Sequence, residues 1–127
     1  MNLFDQLSSS LKKLGDPRTA RISHVMLRTD AEALNYRTRG ECYELLSVWK
    51  ERIEDDPEKF EICARERSEC TTKERGGDLG VVTPLTRGQL SQAFTDVVFL
   101  EDGEVAAPGV YGPIETQQGL HLVFVHA

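Results

Sequence analysis

The order of periodicities along the chain predicts an α+β domain: a strand, two helices, a short strand, a third helix and two closing strands. Three observations carry this expectation. Residues 20–28 alternate at the period of a strand, with Ile22, His24 and Met26 on one side and Ser23, Val25 and Leu27 on the other. Apolar residues at helical spacing fill the middle of the chain. Residues 108–114 and 120–126 read as strands joined by a turn at Gln117, Gln118 and Gly119, so short a connection that the pair must be antiparallel.

At the N-terminus, Leu3, Phe4, Leu7, Leu11 and Leu14 share one helical face while Ser8 to Ser10, Lys12 and Lys13 take the other. This predicts a short amphipathic extension over residues 1–19, ended by Gly15, Asp16 and Pro17, ahead of a single domain over residues 20–127. After the first strand, Thr29 with Glu32 resembles a capping box, and Leu34, Cys42, Leu45, Trp49 and Ile53 suggest a long helix with Gly40 a weak point inside it. Asp56 and Pro57 close it and open a second helix, which carries Phe60, Cys63 and Ala64 inward to about Glu66. Gly76 and Gly77 turn the chain into a short strand at residues 79–82. The third helix follows with Leu90, Phe94 and Val98 at spacing four. In the last strand Leu120, Leu122 and Phe124 oppose His121, Val123 and Val125; a run apolar on both faces marks a covered central strand, which makes His121 a largely buried imidazole.

Composition narrows the function classes. The 127 residues suffice for one domain with a real core, and 39% hydrophobic with 28% charged residues is the make-up of a soluble globular chain. A formal charge of −6 argues against nonspecific nucleic-acid binding, which needs dense Lys and Arg, so the expected partner is protein or peptide. No apolar run approaches the ~20 residues of a membrane span, and the N-terminus lacks the continuous apolar core of a secretory signal. Cys42, Cys63 and Cys70 are odd in number and form no CxxC pair, which supports neither a disulfide framework nor a zinc site. The expectation is a monomer in a reducing compartment, the cytoplasm or an organelle such as a plastid.

Isolated cysteines are usually small buried hydrophobes, the reading kept for Cys42 and Cys63. Cys70 differs because it opens the segment CTTKERGGDLG inside residues 68–80, a punctuated loop, while His24 and His121 lie in distant strands that a fold could bring to it. Taken singly, each histidine reads as a satisfied core residue.

The motifs SHVML at residues 23–27, SECTTKERGGDLG at 68–80, RGQLSQAF at 87–94, VYGPIET at 110–116 and GLHLVFV at 119–125 occur in an order that resembles the parvulins, small peptidyl-prolyl cis/trans isomerases. The resemblance covers roughly residues 21–126. It implies a four-stranded antiparallel sheet surrounded by about four helices, with the active site on the concave sheet face. It implies that His24 and His121 stand side by side on the floor of that site, that Thr116 lies near them, and that Cys70 occupies a position that is Cys in the phosphorylation-directed branch and often Asp elsewhere. Leu79, Leu90 and Phe94 match the apolar pocket for the proline ring, and Gln118 a position that is Ser in some relatives. Periodicity alone would place those three apolar residues in the core.

Such a site rotates an Xaa-Pro bond in proline-containing polypeptides, breaks no covalent bond and requires no cofactor or metal. Cys70 is then expected to tune polarity, not to act as a covalent nucleophile. The phosphorylation-directed branch carries several basic residues after the first strand, whereas here only Arg28 is in place, with Asp30 and Glu32 adding negative charge. Little dependence on phosphoserine or phosphothreonine follows, although Arg28 would favour an acidic residue before proline. Two rival readings stand beside this one: a proline-segment binding or chaperone module with little turnover, and a thiol hydrolase built on Cys70 and a histidine.

Overall fold

The computed structural model of the chain describes residues 15–30, 33, 36–85 and 92–127. The expected N-terminal helix and Leu90 lie outside them. Strand β1 (Ala20–Arg28) is followed by helices α1 (Arg39–Ile53) and α2 (Pro57–Arg67), a 3-10 turn (Thr71–Arg75), β2 (Asp78–Val82), α3 (Gln92–Val98), β3 (Gly109–Glu115) and β4 (Gly119–Val125). The strands form one four-stranded sheet in the order β2-β1-β4-β3, and every neighbouring pair is antiparallel.

Burial on both faces of the two central strands explains their composition. Val25 and Leu27 of β1 and Leu120, Leu122 and Phe124 of β4 pack under Cys42 and Leu46 of α1 and Phe60 and Ala64 of α2. The opposite face joins Ile22, Val123 and Val125 to Val82, Phe94 and Val98. Each fully buried Leu, Ile or Phe contributes roughly 1.5–3 kcal/mol, so β1 and β4 anchor the domain from both sides. The expected covering of the last strand is borne out: all seven residues of β4 are buried, His121 included.

Helix α1 starts later than its periodicity suggests. Its N-cap is Thr38, whose Oγ1 accepts from the Glu41 N–H at 3.1 Å while Glu41 Oε1 accepts from the Thr38 N–H at 3.2 Å. The expected capping partner Glu32 and the expected helical Leu34 lie outside the described residues, and Gly40 falls in the first turn instead of weakening an interior. Asp30 forks its carboxylate onto Arg28, and its carbonyl accepts from the Ala33 N–H at 3.1 Å. Glu54 and Asp55 end α1 in left-handed backbone, and α2 opens as expected, with Asp56 accepting from the Glu58 N–H and Pro57 at the first helical position.

Gly77 shows why its segment needs glycine. It has φ +81, its carbonyl accepts the His24 N–H at 2.9 Å, and a Cβ there would collide with the His24 carbonyl. The glycine therefore lets the loop after the 3-10 turn close directly on the strand that carries His24.

Candidate active site

His24 on β1 and His121 on β4 occupy the same face of the sheet, since His121 is in register with Met26, two residues along from His24. Their rings are nearly parallel, 16° apart with centroids 5.3 Å from each other, and Nδ1 meets Nδ1 at 3.2 Å. That bond needs one donating and one accepting nitrogen, so at least one ring in the pair is neutral at this contact. Thr116, at the end of β3, places Oγ1 2.7 Å from Nε2 of His121. The three side chains form a line, Thr116 to His121 to His24.

Burial holds His121 in its neutral form. Loss of solvent, reinforced by the neighbouring His24, lowers its pKa to about 3. Phe94 closes the floor from α3, its ring edge-on to both imidazoles with centroids 5.8 Å from His24 and 4.8 Å from His121. Leu79 on β2 is half-buried against the same apolar cluster as Phe94.

Cys70 is brought to this floor by hydrogen bonds that zip its loop to β1. Ser68 Oγ accepts from the Met26 N–H at 3.1 Å and from the Cys70 N–H at 3.3 Å, and the Glu69 N–H donates to the Met26 carbonyl at 2.8 Å. Burial raises the pKa of the thiol, but the polar groups of His24 and Thr72 outweigh it and bring the pKa down to about 6. Neither His24 Nε2 nor Thr72 Oγ1 makes a hydrogen bond of good geometry among the described residues, and both atoms are buried. Their influence on Cys70 is thus one of proximity, and both remain able to take a polar group that enters the site. Cys42 is fully buried as the sequence suggested, whereas Cys63 is only half-buried against the same core; burial drives the Cys63 pKa up to about 11 and raises that of Cys42.

The remaining expected residues lie at the rim. Arg28 ends β1 on the same face as His24 and grips Asp30 with Nε and Nη2 at 2.9 and 2.7 Å. Gln118 is exposed in the β3–β4 turn; its backbone N–H donates to Thr116 Oγ1 at 3.3 Å and its carbonyl accepts from Thr29, so its contribution to the site runs through the main chain. Leu90 falls outside the described residues. Sequence reasoning passed over Ser68, Thr72 and Glu69; Ser68 two residues before the thiol was the one local sign, since short hydroxyl side chains there bond to backbone N–H groups.

The chain matches the rotamase family, described as PPIC-type PPIase domain, over residues 24–127. It is 34% identical over 92 residues to the dodo protein of Drosophila melanogaster, covering 72% of this chain and 51% of that protein. The chain thus spans about half the length of that relative. To the peptidyl-prolyl cis-trans isomerase Pin1 of Digitalis lanata it is 27% identical over 116 residues, covering 81% of this chain and 92% of that one. The solved peptidyl-prolyl isomerase ESS1 from Candida albicans superposes with a TM-score of 0.65 at 26% identity, covering 98% of this chain and 72% of that one. With the match extending over most of the domain and the fold the same, the chain belongs to the PPIC-type family of peptidyl-prolyl cis/trans isomerases, the parvulins.

Proposed function

We propose that this chain accelerates rotation about Xaa-Pro bonds in polypeptides through the floor formed by His24, His121, Thr116, Cys70 and Phe94, and that it does so without requiring a phosphorylated residue before proline. The observation that carries this reading is the buried, stacked histidine pair edged by Phe94, with two orphaned polar atoms beside a low-pKa thiol.

The reaction asks for no covalent chemistry. Amide resonance sets a barrier of ~18–20 kcal/mol, and each tenfold acceleration needs about 1.4 kcal/mol of preferential binding to the twisted bond. Phe94 and Leu79 supply an apolar wall for the proline ring. A twisted imide is less zwitterionic than a planar one, so removing water there disfavours the planar form more. His121 serves as a neutral, hydrogen-bonded support: Thr116 fixes one nitrogen, His24 the other, and the ring stays in place beneath the substrate. Cys70 places a thiolate near the imide carbonyl, where it opposes the negative charge that resonance puts on the planar oxygen. Its role is electrostatic.

Phosphate recognition calls for arginines whose donors face outward. Arg28 is instead held by Asp30, and the nearby Arg37 donates to Glu69 at 3.1 Å. Isomerisation of a peptide pair with alanine or phosphoserine before proline tests this reading: acceleration of the alanine peptide at least equal to that of the phosphoserine peptide supports it, and a phosphoserine peptide turned over far faster than its alanine counterpart overturns the phosphorylation part.

A further inference from the structure

Strand β2, which carries Leu79, is not regular. Ala20, Arg21 and Ile22 of β1 face Val82, Val81 and Gly80 in turn, but Ser23 faces Asp78, so Leu79 is an extra residue, a β-bulge. Val82 is buried in the apolar cluster that holds Phe94. Unbroken alternation from Val82 would send Leu79 outward with Val81, which is 68% exposed, and turn Asp78 toward the site. The bulge reverses both. Leu79 packs against the cluster of Phe94, and Asp78 takes the opposite face of the sheet, where it pairs with Arg21.

Two features hold the bulge. Gly80 has φ +77, while a Cβ there would meet nothing within 4 Å, so glycine answers a demand of the backbone and not of crowding. Asp78 closes the turn over it: Oδ1 accepts from the Gly80 N–H at 2.8 Å, and Oδ2 accepts from Arg21 Nη2, also at 2.8 Å. A carboxylate that bonds the N–H two residues on favours such a turn. The ion pair lies at the surface, with the Arg21 side chain 58% exposed, and adds little stability by itself. Its effect is to orient the carboxylate whose other oxygen holds the main chain.

Resting on the isomerase reading above, we infer that Asp78 is a positioning residue for substrate recognition: through its bond to the Gly80 N–H it fixes the bulge that turns Leu79 into the wall for the proline ring. It acts through Leu79 and touches no substrate. Loss of that bond lets β2 relax toward regular alternation, which takes Leu79 away from the side of Phe94.

A kinetic double-mutant cycle tests this. kcat/KM for an Ala-Pro peptide is measured in the unmodified protein, Asp78→Ala, Leu79→Ala and the double variant, each checked for folding by circular dichroism. Leu79→Ala should lower kcat/KM by roughly tenfold, the size of a lost apolar contact at a half-buried position, and Asp78→Ala by roughly threefold or more. In the Leu79→Ala background, Asp78→Ala should change kcat/KM by less than about twofold, because the side chain it positions is gone. Asp78→Asn keeps an oxygen for the Gly80 N–H and should recover most of the loss seen in Asp78→Ala. A merely structural role would cost the same factor with or without the Leu79 side chain. That outcome overturns the inference, as does Asn performing no better than Ala, or a Leu79→Ala protein as fast as the unmodified one. Where Asp78→Ala does not fold, Gly80→Ala strains the same backbone without removing a side-chain contact and is read in the same cycle. No acceleration by the unmodified protein refutes the isomerase reading itself and is distinguishable from equal factors in a working enzyme.

Discussion

Cys70 offers the sharpest check on the electrostatics of the floor, and the informative quantity is the pH at which its alkylation switches on. With a pKa of about 6, some nine-tenths of the thiol is ionised at pH 7, against a few per cent for an ordinary cysteine near 8.5. The rate at neutral pH hardly advertises this. Nucleophilicity falls with pKa at a slope of ~0.4–0.5, so the ~30-fold gain in thiolate is cut by roughly tenfold, and Cys70 should outrun an ordinary exposed cysteine only a few-fold. The midpoint carries no such compensation. Titrating iodoacetamide labelling from pH 4.5 to 9, with mass-spectrometric assignment of the site, should place the Cys70 inflection near pH 6, while Cys63, held up at about 11, stays unlabelled over the same range. Thr72→Val removes the hydroxyl that helps to lower the pKa while keeping the backbone N–H that also does, and because burial by itself raises it, the inflection should move upward. A midpoint at or above 8.5, or one indifferent to Thr72→Val, refutes the placement of Cys70 against His24 and Thr72.

Other consequences follow from the same residues. The His121 pKa is lowered in the folded state, so the unfolded chain takes up a proton between pH 6.5 and about 3 that the native one refuses; stability therefore falls as the pH drops through that window. In a Cys70→Ser background, which removes the thiol's own contribution of the same sign, urea unfolding should show a loss of about 2 kcal/mol from pH 7 to pH 5, and a flat profile contradicts the buried neutral ring. Thr116→Val keeps the shape but strips the hydroxyl from His121 Nε2; it should cost about 1–3 kcal/mol by urea titration and lower kcat/KM more than it raises KM. Phe94→Leu, which keeps an apolar side chain at a buried position, should leave the chain folded by circular dichroism yet reduce kcat/KM by more than tenfold, since the ring edges against both imidazoles are lost.

Much of this arrangement was legible in the sequence because burial on one or both faces writes itself into period-two and period-four patterns. β1 emerged with its bounds intact, and the alternation of His121 with Val123 and Val125 announced a strand covered on both sides. The ordered motifs located the histidines, Thr116 and Phe94, and the structure brings those four together. What failed was the start of α1. Two S/T-x-x-E patterns stood nine residues apart, and periodicity could not choose between Thr29 and Thr38; the structure caps the helix at Thr38. The Arg28–Asp30 contact was also out of reach, because an arginine's place in the sequence does not say which carboxylate its donors meet. The pKa of Cys70 was equally out of reach, since it is set by His24, 46 positions away in the chain, and by a 3-10 turn whose geometry has no strong sequence signal.

The central claim is that this floor rotates proline bonds, and exchange spectroscopy on an Ala-Pro peptide with the purified chain tests it most directly. Catalytic amounts should bring cis/trans interconversion from tens of seconds into the sub-second range, with the effect greatly reduced in Phe94→Leu. Interconversion at the uncatalysed rate in the presence of the folded protein would contradict the account.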